Sequence, residues 1–157
     1  QEPVTTWIVD DTGFLKQGTH SVGVHRQYTG SAGKVTNCQV AVSLAVATAS
    51  EQIPIDFELY LPEAWANDPA LRAEARVPTD VAFKTKIELA IDMIERASAA
   101  HIPGNVVLAD SAYGSSSEFR AALRVMDFDF ALGVTSALSR SVPELLARIG
   151  PGLRRGR

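Results

Sequence analysis

The segment "CQVAVSLAVAT", residues 38 to 48, is apolar at nearly every position. A strand with one face in water alternates apolar and polar residues, whereas a strand buried on both faces reads as a continuous apolar run. This segment is therefore expected at the centre of a sheet. Before it, "HSVGVHRQY" (residues 20 to 28) sets Val22, Val24 and Arg26 against Ser21, Gly23 and His25, the alternation of a half-exposed strand. Thr5–Val9 supplies a first strand, and the Gly/Ser-rich loop Thr29–Lys34 separates the second from the third. The three are read as an antiparallel meander. Ile53–Pro62 adds a short strand, and the polar stretch that follows, interrupted by Pro69 and Pro78, is read as irregular.

From Thr79 the period changes. Phe83, Ile87, Ile91 and Ile94 recur at steps of four, four and three, which predicts an amphipathic helix of about five turns, capped by Thr79 or Asp80 and stopped at "IPG" (residues 102 to 104). Asn105–Asp110 is then a short buried strand, Ser115–Met126 a helix opened by a Ser cap, Asp127–Val134 a further strand, and Ser141–Ile149 a short helix. An antiparallel trio followed by helix, strand, helix, strand implies a mixed α/β sheet whose last strands pair in parallel through right-handed crossovers. That is the element order of the ribonuclease H-like fold.

At 157 residues, 46% hydrophobic and 21% charged, the chain has the composition of one globular domain. Its formal charge of −3 lacks the basic balance common in nucleic-acid binders, so any polynucleotide would be held by local basic patches or by metal. The lone Cys38 excludes a disulfide scaffold or a cysteine-rich zinc site and reads as a small buried apolar residue. No membrane-spanning run or signal peptide is present, and a cytoplasmic protein is expected. The chain opens on Gln1 and is almost at once in strand-like sequence, which predicts a lost upstream part. The tail, with Pro151, Arg154, Arg155 and Arg157, is expected to be disordered.

Two apolar runs end on acids: Thr5–Val9 meets Asp10 and Asp11, and "VVLAD" ends at Asp110. Sites collect at strand ends in helix-covered sheets, where the backbone is rigid and the side chain reaches solvent. If these strands are neighbours, the carboxylates lie side by side. They would then repel unless a cation sat between them, and a hard divalent ion such as Mg2+ needs only one or two protein carboxylates. The implied chemistry is metal-assisted phosphoryl transfer. The alternative for an Asp in such a place is a turn or a helix N-cap. Asp10 and Asp11 alternate across the strand, so only one of them is a ligand.

Other candidates are less specific. Lys16, His20, Arg26 and Lys34 flank the first hairpin, where contact with phosphates and a solvated edge explain them equally well. His20, His25 and His101 lack metal-binding spacing. The glycines of "GSAGK" do not follow a strand and open a helix, so a phosphate loop is rejected. A metal-dependent phosphatase would need an acid two residues after the nucleophilic Asp, where Thr12 stands.

"VDDTGFLKQGTHSVGVHRQYTGSAGKVTNCQVAVSL" (Val9 to Leu44) followed by "VVLADSAYG" (Val106 to Gly114) resembles the DDE transposases of bacterial insertion sequences, in particular the insertion-sequence 701 group. The similarity runs from about Thr5 to Thr135. It implies a ribonuclease H-like catalytic core and an Asp, Asp, Glu triad that binds Mg2+ (or Mn2+), cleaves DNA at the element's ends and joins the 3′-hydroxyl to target DNA. By motif the first acid is Asp10, in the D-x-T pattern with Thr12, and the second is Asp110. Asp11 competes for the first place and is otherwise expected to begin a turn. Tyr113 and Gly114 belong to the second motif without an assigned role. DNA and a second copy or an intact transposase are the implied partners.

The third acid is the departure. Glu144 is the only Glu after Glu118, and its context does not resemble the family's Glu motif. The expectation is a partial core over residues 1–136 and a divergent segment over residues 137–157, with the last acid and its helix missing. Such a loss would uncover one face of the sheet, and 300 Å² of exposed apolar surface costs roughly 7 kcal/mol at about 25 cal/mol per Å². The chain alone is thus expected to be marginally stable and weakly active or inactive. The competing function is a non-catalytic remnant that binds DNA or an intact transposase.

Overall fold

In the computed structural model, which describes residues 2–135, the apolar run found in the sequence is the hub of a six-stranded mixed sheet. It forms β3 (Lys34–Ala47). Along one edge β3 pairs antiparallel with β1 (Thr6–Leu15), from Thr6↔Ala47 to Leu15↔Cys38. Along its other edge β2 (His25–Thr29) pairs with the first part of β3 and β4 (Gln52–Tyr60) with the rest, so two strands share that edge end to end. Beyond β1 lie β5 (Val106–Ala109) and then β6 (Asp129–Leu132), both parallel. The expected ribonuclease H-like mixed sheet is present. Its antiparallel trio runs β1, β3, β4, because five-residue β2 reaches only the start of the much longer β3.

Three helix boundaries differ from the sequence reading. The long helix, α3 (Lys86–Ala99), begins not at Thr79 or Asp80 but after Thr85, whose side chain accepts from the Glu88 amide while the Glu88 carboxylate accepts from the Thr85 amide. This capping box, Thr85 with Glu88 three residues on, outcompetes the earlier candidates because it satisfies two amide donors at once. The stretch read as irregular forms two short helices, α1 (Glu63–Ala66) and α2 (Pro69–Glu74). Pro69, read as an interruption, opens α2 at the first helical position with Asp68 as cap, a place that needs no amide hydrogen. After β5 a single turn, α4 (Ser111–Gly114), precedes α5 (Ser117–Val125), which Ser116 caps. The expected helix over residues 141–149 and the basic tail lie outside the described residues.

Strand alternation and helix stripes meet on one side of the sheet. Trp7, Val9, Val42, Leu44, Val46 and Val107 bury against Leu89, Met93 and Ile94 of α3 and Phe119 and Leu123 of α5. Trp7 is anchored further: its indole donates to Pro103 O at 2.8 Å and its ring lies 4.8 Å from that of Phe128. The indole leaves no room for a side chain at Gly104, whose φ of 122° also demands glycine. The other side of the sheet, with Ile8 of β1, Leu108 of β5 and Phe57 and Leu59 of β4, is more open; Phe57 is 59% exposed. Among the described residues no helix is long and apolar enough to cross a membrane.

Candidate active site

Asp10 and Asp11 lie inside β1, opposite Ser43 and Val42 of β3. Asp11 therefore does not begin a turn: β3 is long enough to hold β1 in a ladder as far as Leu15. What ends at the acids is the parallel pairing with β5, whose last partners are Val9↔Ala109. Alternation then separates the neighbours. Asp11 follows Trp7 and Val9 on the covered face, and exposed Asp10 follows Ile8 on the open face.

Asp110 is the first residue after β5, so the register places Asp10 and Asp110 next to each other where two parallel strands stop pairing. Neighbouring strands lie about 4.8 Å apart, so the two residues stand side by side at the sheet's exit. Each has one oxygen engaged. Asp10 Oδ1 accepts from the Asp11 amide at 2.8 Å, and Asp110 Oδ1 caps α4, accepting from the amides of Ala112 at 2.8 Å and Tyr113 at 3.4 Å. The second oxygen of each has no hydrogen-bond partner among the described residues. The helix-cap reading of Asp110 is thus correct, and it leaves Oδ2 available.

The cap turn is held by close backbone packing. A Cβ on Gly114 would stand 1.9 Å from Gly133 O, and Gly133 N donates to Ala109 O at 2.9 Å. The two glycines let the segment after β6 press on α4, which fixes the direction in which Asp110 leaves β5.

Beneath the pair, Asp11 Oδ2 accepts from Lys86 Nζ at 2.9 Å, at the first turn of α3. Lys86 also lies over the Tyr60 ring, 5.8 Å from its centroid. The Tyr113 side chain is buried in the same core, and its hydroxyl has no hydrogen-bond partner among the described residues. Burial, followed by the charges of Asp11, Asp10 and Asp110, pushes this phenol far above the usual tyrosine range. Lys86 and Tyr113 have no site role in the sequence reading, and the contact of Lys86 with Asp11 has no local signature because it crosses between elements.

The predicted phosphate contacts disperse. Arg26 pairs with Asn37 and Lys34 with Thr29, which places the two on opposite faces of the sheet, with Arg26 on the face of Asp10. Lys16 follows the end of β1, half-buried, and its amide donates to Asn37 O. His20 pairs with Glu74 at 3.1 Å on the surface, and His25 and His101 are exposed.

With this geometry in view, the whole chain, residues 1–157, matches the family described as DDE superfamily endonuclease. The protein belongs to the DDE endonuclease superfamily. A relative from Microchaete diplosiphon, described as a probable transposase for insertion sequence element IS701, is 31% identical over 130 residues, which is 82% of this chain. The chain spans 31% of that relative's length. No solved structure matches the chain. DDE endonucleases are generally dependent on a divalent metal. The residues at the candidate site of this family member fit such an ion: two acids at the exit of adjacent strands, each with an unengaged oxygen, meet the requirement of a hard cation for one or two protein oxygens completed by water. Among the described residues no group of three or more His, Cys, Asp or Glu side chains converges as a metal site.

Proposed function

We propose that this DDE endonuclease chain is part of the catalytic domain of a DNA transposase, in which Asp10 and Asp110 hold Mg2+ or Mn2+ for strand cleavage and strand transfer at insertion-sequence ends. The observation that carries the reading is the register Val9↔Ala109, which delivers the two acids together from strands a hundred residues apart. When bound, an ion of this class activates the attacking water or hydroxyl and stabilises the leaving oxygen. Asp10 and Asp110 would hold the ion through their free oxygens, while the Asp11 amide and the first turn of α4 orient the two side chains. Asp11 is not the ligand in this reading, because it faces the core and is neutralised by Lys86. The transposase described among the relatives supports DNA, both element ends and target, as substrate, and a second copy or an intact transposase as partner. Of Lys16, Arg26 and Lys34, Arg26 is the one whose strand register sets it on the side of Asp10, toward a phosphate backbone there. With two converging acids among the described residues, such an ion would be held weakly.

Titration calorimetry with Mn2+ tests the assignment. Asp10→Asn and Asp110→Asn should each weaken binding at least tenfold, and Asp11→Asn less than Asp10→Asn. Unchanged affinity in Asp110→Asn would sink the reading. Nicking of supercoiled plasmid in Mn2+, abolished by Asp10→Ala, separates catalysis from a purely binding role.

A further inference from the structure

Tyr113 is 1% exposed, its hydroxyl lies beyond the reach of solvent, and no donor or acceptor among the described residues meets it. Removing a phenol from water without a compensating bond is unfavourable, and Phe at this position would fill the same space at no such cost. An orphaned hydroxyl in a packed core therefore calls for a role.

Its neighbours define that role. Tyr113 bonds Asp110 directly and shares the covered side of the sheet with Asp11. Its backbone amide is one of the two donors to Asp110 Oδ1, and its side chain lies in the covered core beneath β1, where Asp11 projects. Asp11 is half-satisfied in a complementary way: Lys86 occupies Oδ2, and Oδ1 has no partner among the described residues. The Asp11 amide in turn holds Asp10 Oδ1 at 2.8 Å. A buried donor and a free acceptor thus sit on one face, on the two elements that carry the two acids.

We propose that Tyr113 is a positioning residue for the Asp10–Asp110 pair, its phenol donating to the Asp11 oxygen that Lys86 leaves free in the metal-loaded protein. With Lys86 on one oxygen and Tyr113 on the other, Asp11 is fixed at both ends, and its amide fixes Asp10. The same residue then ties β1 to the cap turn, so both carboxylates are referred to one side chain. Outer partners that orient ligating carboxylates typically change metal affinity by about 10 to 100-fold. The inference rests on the assignment of Asp10 and Asp110 as ligands.

The test compares Tyr113→Phe with the unaltered chain in two measurements, the thermal midpoint without metal and Mn2+ affinity by calorimetry. The expected result is a midpoint equal to or above that of the parent, because an unpartnered hydroxyl has been removed, together with Mn2+ binding weakened about tenfold. Unaltered Mn2+ affinity would overturn the proposal, leaving Tyr113 a packing residue. A lowered metal-free midpoint would also overturn it, since the hydroxyl would then be bonded before metal arrives. Asp110→Asn is measured alongside: if it binds Mn2+ as the parent does, the ligand assignment fails and this inference falls with it. If Asp110→Asn loses binding and Tyr113→Phe does not, only the role of Tyr113 is lost.

Discussion

Asp11 and Lys86, 75 positions apart in the chain, meet at 2.9 Å, joining the middle of β1 to the first turn of α3. Their side chains are 19% and 31% exposed, so the pair is partly shielded and neither charge is well placed alone. Lys86→Met should therefore destabilise the protein by about 1 to 2 kcal/mol, largely through the carboxylate left behind. Combining it with Asp11→Asn should recover part of that loss. Urea unfolding of the four proteins reads both effects, and a Lys86→Met protein as stable as its parent would show that the contact contributes nothing.

Asp110 both caps a helical turn and offers an oxygen to solvent, and two substitutions separate these roles. Asn retains the cap, so Asp110→Asn should stay within a few tenths of a kcal/mol of the parent in stability while losing metal affinity. Asp110→Ala should lose both, with a cost of about 1 kcal/mol for the cap. Equal stability of the two variants in chemical denaturation would show that the cap of α4 carries no weight.

Gly114 and Gly133 bring two backbones closer than any side chain permits. In Gly114→Ala the new methyl group would stand 1.9 Å from Gly133 O, so α4 must move or β6 must shift. Overpacking of this kind typically costs about 1 to 3 kcal/mol. Because the displaced turn carries Asp110, weaker Mn2+ binding should accompany the lower thermal midpoint. A variant that loses stability and keeps its affinity would break the link between this packing and the acid.

Cys38 is fully buried in β3, and burial raises its thiol above the ordinary value. A raised folded-state pKa contributes stability that is complete below the unfolded thiol value, about 8.5, and is lost as pH rises through the folded one. Relative to Cys38→Ala, the parent should therefore lose stability as pH rises above about 8.5 in guanidinium unfolding. The thiol should also resist alkylation until the protein unfolds. Rapid labelling under native conditions would contradict the packing of β3.

The parts of the fold legible in the sequence are those written in local periodicity. The continuous apolar run identified β3 as a strand with neighbours on both edges, and the helical stripe located α3. Both patterns reflect burial on a repeating lattice, which needs no knowledge of the partner. Helix starts are less legible, because several residues compete to cap each one; Thr85 prevails over Thr79 and Asp80 through Glu88, a signal the sequence carries three residues on. The pairing of β1 with β3 rather than β2 was not legible, since strand length and edge availability are settled only when all strands compete.

The candidate site divides along the same line. Asp10 and Asp110 stand out in the linear chain because each follows an apolar run, a pattern that burial of the strand imposes and that motif resemblance sharpens. Their adjacency, the turning of Asp11 into the core and onto Lys86, and the burial of the Tyr113 hydroxyl beneath them arise from the register of β1 against β5 and the placement of α3 and α4. A sequence determines which residues are compelled to be buried and which acids are left at the boundary. Only the folded chain decides which of two adjacent carboxylates faces solvent, because that depends on the parity of a strand whose neighbours lie 30 to 100 residues away.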